Sequence, residues 1–169
     1  MSSKSFVAAM ALAVTAVCGP LQAEPLPTKP SLTLDVAKNI AAAAEKHARE
    51  NKWDVCIAIV DDGGHLVYFQ RMDNVQTGSV LVSQEKAKTA CAFKRPSKVF
   101  EQGIIEGRTA LVALPGATPL EGGLPLTVDG VVVGAIGISG VTAQQDGMIA
   151  QAGADALPGI LAQPAITAP

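Results

Sequence analysis

The chain has 169 residues, 49% of them apolar but only 4% aromatic, and a formal net charge of -2. That length gives one domain with a core of its own, and the apolar share is too high for a disordered chain. With no basic stripe and no long run of one charge, nucleic acid and anionic lipid are excluded as expected partners.

The first residues read apart from the rest. Lys4 supplies a positive start, Phe6 to Val17 is an almost unbroken apolar run, and Gly19-Pro20 breaks it ahead of Leu21-Gln22-Ala23. This is the pattern of a secretory signal peptide over residues 1–23. About a dozen apolar residues fall short of the ~20 that span a bilayer as a helix, so no membrane anchor is expected after cleavage. Val17 ahead of Cys18 argues against a lipoprotein, and the mature protein is expected in the periplasm or outside the cell. Residues 24–31 hold three prolines without periodicity and 158–169 form a Pro/Ala-rich tail, which leaves a folded domain over 32–157.

Thr33 predicts an N-cap for a first helix reaching about Asn51, with Val36, Ile40, Ala44, His47 and Ala48 at helical spacing and His47 near the middle of that stripe. Val55 to Val60 and Leu66 to Phe69 predict two strands joined through Asp61-Asp62-Gly63-Gly64. The nearly continuous apolar character of the first strand predicts cover on both faces of its sheet. Gly78 to Ala92 returns to helical period, and Arg95-Pro96-Ser97 ends that helix and starts a shorter one through Ile105. Three strands are then expected, Ala110 to Leu114, Leu124 to Val128 and Val131 to Ser139, the last two joined by the Asp129-Gly130 hairpin signal. Thr142 and Gln145 make a capping box for a last helix that stops before Pro158. The order gives an α+β fold with an antiparallel sheet rather than a parallel doubly wound one.

Chemistry-bearing residues are sparse. The chain has two histidines, His47 and His65, and scattered cysteines, so no set has the spacing of a zinc site and no metal centre is expected. No nucleophile elbow occurs. Cys56 and Cys91 lie in apolar segments and read as buried small hydrophobes rather than as a disulfide. An imidazole on the apolar side of a helix needs a hydrogen-bond partner, a metal or solvent, so His47 is either a satisfied structural histidine or a ligand. Arg71, Lys86 and Lys88 offer positive charge that either binds an anion or forms a solvated face. Gly122-Gly123 and the series Gly134, Gly137, Gly140 require close backbone approach, by a ligand or by a packed helix or subunit, with packing favoured.

Taken together, Val60-Asp61 with Gly63-Gly64, Arg71-Met72-Asp73, Lys86-Ala87-Lys88-Thr89-Ala90, Gly122-Gly123-Leu124-Pro125 and Gly134 to Gly140 resemble the GlcG/HbpS family over about residues 32–157. The same module resembles the C-terminal domain of PduO proteins. The resemblance implies a profilin-like three-layer α/β/α fold with a five-stranded antiparallel sheet, assembled as a homo-oligomer from dimer to octamer. Secreted members of the family bind haem and act as accessory sensors. A PduO-type domain holds haem through a histidine early in the domain, which His47 resembles in position, and HbpS-like contacts use a threonine, for which Thr89 is the candidate. Arg71 or Lys88 would then meet a propionate. Two further readings stay open. One is a small carboxylate or aldehyde metabolite bound near Asp61, Arg71, Gly122 and Gly123 with Asp61 as acid/base, in an enzyme or enzyme accessory. The other is a purely structural partner protein.

Overall fold

The computed structural model describes residues 24–162. The signal-peptide pattern at 1–23 and the end of the tail at 163–169 lie outside the described residues. Residues 24–31 form no helix or strand and are exposed, and Leu32 is the first buried side chain of the domain.

Local chemistry starts and stops the elements. Helix α1 (Leu34–Glu50) begins where Thr33 Oγ1 accepts the Val36 N–H at 3.3 Å. It ends in a Schellman motif: the Lys52 N–H donates to Arg49 O at 3.1 Å and the Trp53 N–H to Ala48 O at 2.9 Å. Lys52 takes the left-handed position of that motif at φ +59°, where glycine is usual. Strands β1 (Cys56–Asp61) and β2 (Leu66–Arg71) form the first hairpin. Helices α2 (Ser79–Phe93) and α3 (Lys98–Ile105) follow on either side of Pro96. Strands β3 (Gly123–Val128) and β4 (Val131–Ser139) form the second hairpin across Asp129 and Gly130, which both take positive φ. The expected capping box of Thr142 and Gln145 opens α4 (Ala143–Asp155).

All neighbours in the sheet are antiparallel, in the order β2-β1-β4-β3. Ile57 and Ile59 of β1 and Ile136 and Ile138 of β4 join the core that α1 and α4 close with Ile40, Ala44 and Ile149. Ala58, Val60 and Ala135 face the opposite way, against Ala87, Ala90 and Cys91 of α2. Cys56 and Cys91 are free, buried thiols held apart along β1: Cys56 opens the strand, and Cys91 Sγ donates to Asp61 O at its far end. Burial raises the titration of both above the ordinary thiol value.

The α2 face is unusually close. A β-carbon on Gly137 would stand 2.0 Å from Ser83 O, and one on Gly123 would stand 2.1 Å from Lys86 O. Helix backbone thus rests on strand backbone, which accounts for the glycines by packing. On the far side, β-carbons at Gly134 and Gly140 would meet Val60 O and Asp54 O, both at 2.3 Å.

Two expectations are corrected. The sheet has four strands, not five, because residues 110–114 do not form a strand: Thr109–Ala113 is a 3-10 helix. Its Leu111 side chain fills the space beside Gly103 of α3, and Arg108 N–H donates to Gly103 O at 2.8 Å, so the chain folds back on α3. The outer edge of β3 could not have received it either. Gly123 spends its N–H on Ser97 Oγ and its C=O on Ser97 N–H, both at 2.9 Å, and Pro125 has no N–H to give. Second, the tail does not start at Pro158. Pro158 sits in the first turn of a short helix, α5 (Leu157–Leu161), where its missing N–H costs nothing, and Leu157 and Ile160 pack on the core.

Candidate functional site

His47 lies near the C-terminal end of α1. The residues this helix buries are Ala37, Ile40, Ala41, Ala44 and Ala48. At ~100° per residue His47 falls at the margin of that stripe, beside Ile40, and not at its middle as expected. The alanines, weak as hydrophobes, mark the line of closest approach and shift the stripe. Among the described residues, His47 Nε2 is the buried side-chain polar atom left without a hydrogen-bond partner. Trp53 stands edge-to-face to the imidazole with ring centroids 6.2 Å apart. The Schellman motif puts them together: Trp53 is its second residue beyond the helix, and His47 is the partner such a residue commonly touches. A buried nitrogen of this kind typically costs about 1–3 kcal/mol unless a donor, metal or water reaches it.

The other expected haem contacts are not all beside it. Arg71 ends β2 opposite Cys56, at the same end of the sheet as the Trp53 segment, and donates from its guanidinium to Val75 O at 2.9 Å. Thr89 and Lys88 belong to α2, on the opposite face of the sheet from α1. Thr89 is fully buried and engaged: its hydroxyl donates to Glu85 O at 2.7 Å and accepts the Thr118 N–H at 2.8 Å, which pins the loop ahead of β3. Lys88 pairs with Glu85 at 2.8 Å. Within one chain, only Arg71 shares an end of the sheet with His47.

The four residues of the metabolite reading are also separated. Register places Arg71 opposite Cys56 at one end of the first hairpin and Asp61 at the other. Asp61 Oδ1 accepts the N–H groups of Gly63 and His65, each at 2.9 Å, and so builds the turn. The His65 N–H, against the opposing effect of burial, holds this carboxyl below the usual carboxylate range, with help from Gly63. Gly122 and Gly123 lie at the Arg71 end, but β1 and β4 intervene, a span of roughly three strand spacings of ~4.8 Å.

What the residue pattern did not reveal is a buried ion pair behind that glycine turn. Lys86 Nζ donates to Asp146 Oδ2 at 2.7 Å, with the two side chains 3% and 2% exposed. Lys86 is therefore neither a solvated residue nor a free anion site. Burial pushes the Asp146 carboxyl up, against the pull of the Lys86 ammonium and the Val141 N–H. Gly122, at φ +125°, leaves the room: a β-carbon there would stand 2.9 Å from Lys86 Nζ and 2.9 Å from Asp146 Cβ. Outside the turn, a small hollow is lined by Pro96, Lys98, Glu121 and Gly147, and a neighbouring cleft of about 130 Å³ by Lys98, Glu101, Ile105 and Gln144. Neither reaches His47.

An antiparallel sheet between two helical layers, with an unpartnered imidazole nitrogen at one helix end, defines a small α+β module with one candidate ligand atom. The chain belongs to the HbpS-like family, whose model, described as haem degrading protein HbpS-like, matches residues 32–155. It is similar to the protein GlcG of Escherichia coli, 46% identical over 112 residues that make up 66% of this chain and 84% of that protein. Among solved structures, a double mutant of Streptomyces reticuli HbpS superposes with a TM-score of 0.73 at 30% identity, covering 84% of this chain and 99% of that one. A PduOC:heme complex superposes with a TM-score of 0.68 at 27% identity, covering 75% of this chain and 95% of that one.

Proposed function

We propose that this protein is an exported haem- or tetrapyrrole-binding member of its family, acting as a sensing or accessory homo-oligomer of two to eight copies, with His47 as its iron ligand. The observation that carries the reading is the buried, unpartnered His47 Nε2. Imidazole is a common haem ligand, and a nitrogen without a competing hydrogen bond keeps its lone pair for a metal. The donor chemistry fits; access requires the residues over the nitrogen to move. Arg71, which shares an end of the sheet with His47, is the cation proposed for a propionate. Bound haem would supply an iron centre for oxygen, peroxide or electron chemistry. Support comes from the family description and from the PduOC:heme structure. Export rests on the Lys4 to Ala23 pattern, and assembly rests on the family resemblance. The profilin-like description, with one strand fewer, fits the layers. The alternative metabolite site, read from Asp61, Arg71, Gly122 and Gly123, gains nothing from their positions, which the sheet keeps apart.

Titration with haemin, followed at the Soret band, tests the reading. Saturable binding is expected, weakened about tenfold or more by His47→Ala. No Soret change with the wild-type protein rejects haem, and an unchanged curve for His47→Ala rejects the ligand.

A further inference from the structure

We infer that Trp53 is a cover over the ligand nitrogen of His47 and that the Schellman cap of α1 is its hinge. The nature of the ligand rests on the haem reading above; the cover does not. His47 stands at the margin of its helix, where an imidazole would ordinarily reach water, yet Nε2 is sealed. The indole beside it is carried by a two-residue excursion from the helix, held by the Lys52 and Trp53 amides. Lys52 is kept at φ +59°, a region that disfavours a residue with a side chain.

The closed state therefore carries two local penalties at one place: an imidazole nitrogen with no partner and a lysine in a glycine conformation. Opening relieves both and forfeits the half-buried contacts of the indole and two cap hydrogen bonds. Opposed terms on a short segment are what a gate requires. Association of a macrocycle with His47 is then limited by opening, and the apparent affinity is reduced by the fraction of time the site spends open.

The chain suits a direct test, since it has two histidines and one tryptophan. His65, with its side chain 83% exposed, serves as the internal standard. In the protein without haem, relaxation of the His47 ring protons by a soluble gadolinium chelate is expected to be weak beside His65 and to rise several-fold in Trp53→Ala. Stopped-flow mixing with haemin is expected to give a rate that levels off with concentration in the wild type and keeps rising in Trp53→Ala. Trp53→Leu, which retains an apolar contact at the cap, carries the same test should the alanine variant fail to fold. Equal chelate effects on His47 in wild type and variant overturn the cover. If the variant exposes His47 but neither protein binds haemin, the cover stands and the haem reading falls. If haemin binds through His47 at a rate linear in concentration and unchanged by the substitution, the cover falls and the haem reading stands.

Discussion

The two faces of the sheet are packed by opposite means. Towards α1 and α4, branched side chains interdigitate: Ile57, Ile59, Ile136 and Ile138 against Ile40 and Ile149. Towards α2, side chains are nearly dispensed with, and Gly123 and Gly137 let the helix backbone rest on the strands. The buried positions of α2 include Ser79, Ser83, Lys86 and Thr89, and polar groups there are satisfied by pairing: Ser79 with Ser139, Lys86 with Asp146, Thr89 with Thr118. One face is held by apolar area and tolerates small changes of volume. The other is held by close backbone approach and matched polar partners, and tolerates neither added volume nor a missing partner.

The sharpest way to break this contrast is to orphan one charge. Asp146→Ala leaves the Lys86 ammonium buried alone and is expected to cost about 3–5 kcal/mol in urea unfolding. Lys86→Met combined with Asp146→Leu removes both charges and is expected to recover most of that loss. If the single variant loses less than about 1 kcal/mol, the pair does not hold this face.

A matched pair of volume changes comes next. Gly137→Ala adds one methyl that would stand 2.0 Å from Ser83 O, a backbone atom that cannot turn aside, and is expected to cost about 1–3 kcal/mol. Ile136→Val removes one methylene from the aliphatic face and is expected to cost about 0.5–1.5 kcal/mol. A larger loss for Ile136→Val in the same denaturation series would reverse the comparison.

The smallest effect is pH-dependent. Asp61 titrates below its ordinary value in the folded protein, so its contribution is complete above the unfolded carboxylate range, near pH 4, and is lost as pH falls through the folded value. Asp61→Asn should therefore be less stable than wild type at neutral pH, with the gap narrowing in acid. Asp146 runs the other way: burial raises its titration, so its contribution is greatest below the unfolded value and declines as pH rises through the folded one. A gap between Asp61→Asn and wild type that widens below pH 4 would reject the assignment to the turn carboxylate.

Legibility in the sequence followed the range of the interactions. Thr33, the Thr142 and Gln145 box and the Asp129-Gly130 turn act over a few residues, and each appears where the pattern put it. The run from Ala110 to Leu114 misled because five apolar residues look alike as strand or helix, and the edge that would have paired with them was already spent on Ser97 and Pro125. The Lys86 and Asp146 pair joins positions 60 residues apart and leaves no local trace. A signal for the close face did exist: Ser79, Ser83, Ala87 and Ala90 recur at helical spacing and are all small, opposite a strand rich in glycine. His47 could be singled out as an imidazole on a helix with an apolar side, but the sealing of Nε2 depends on a turn whose left-handed residue is lysine, where glycine would have advertised it.

Ser97 and Pro125 have a consequence beyond the missing fifth strand. They blunt one margin of the sheet, so a strand from another chain finds neither donor nor acceptor at Gly123 and no donor at Pro125. The opposite margin, along β2, keeps its outward backbone groups. Pairing with a strand from another chain is thus disfavoured along the first half of β3, and β2 (Leu66–Arg71) is the margin without that protection.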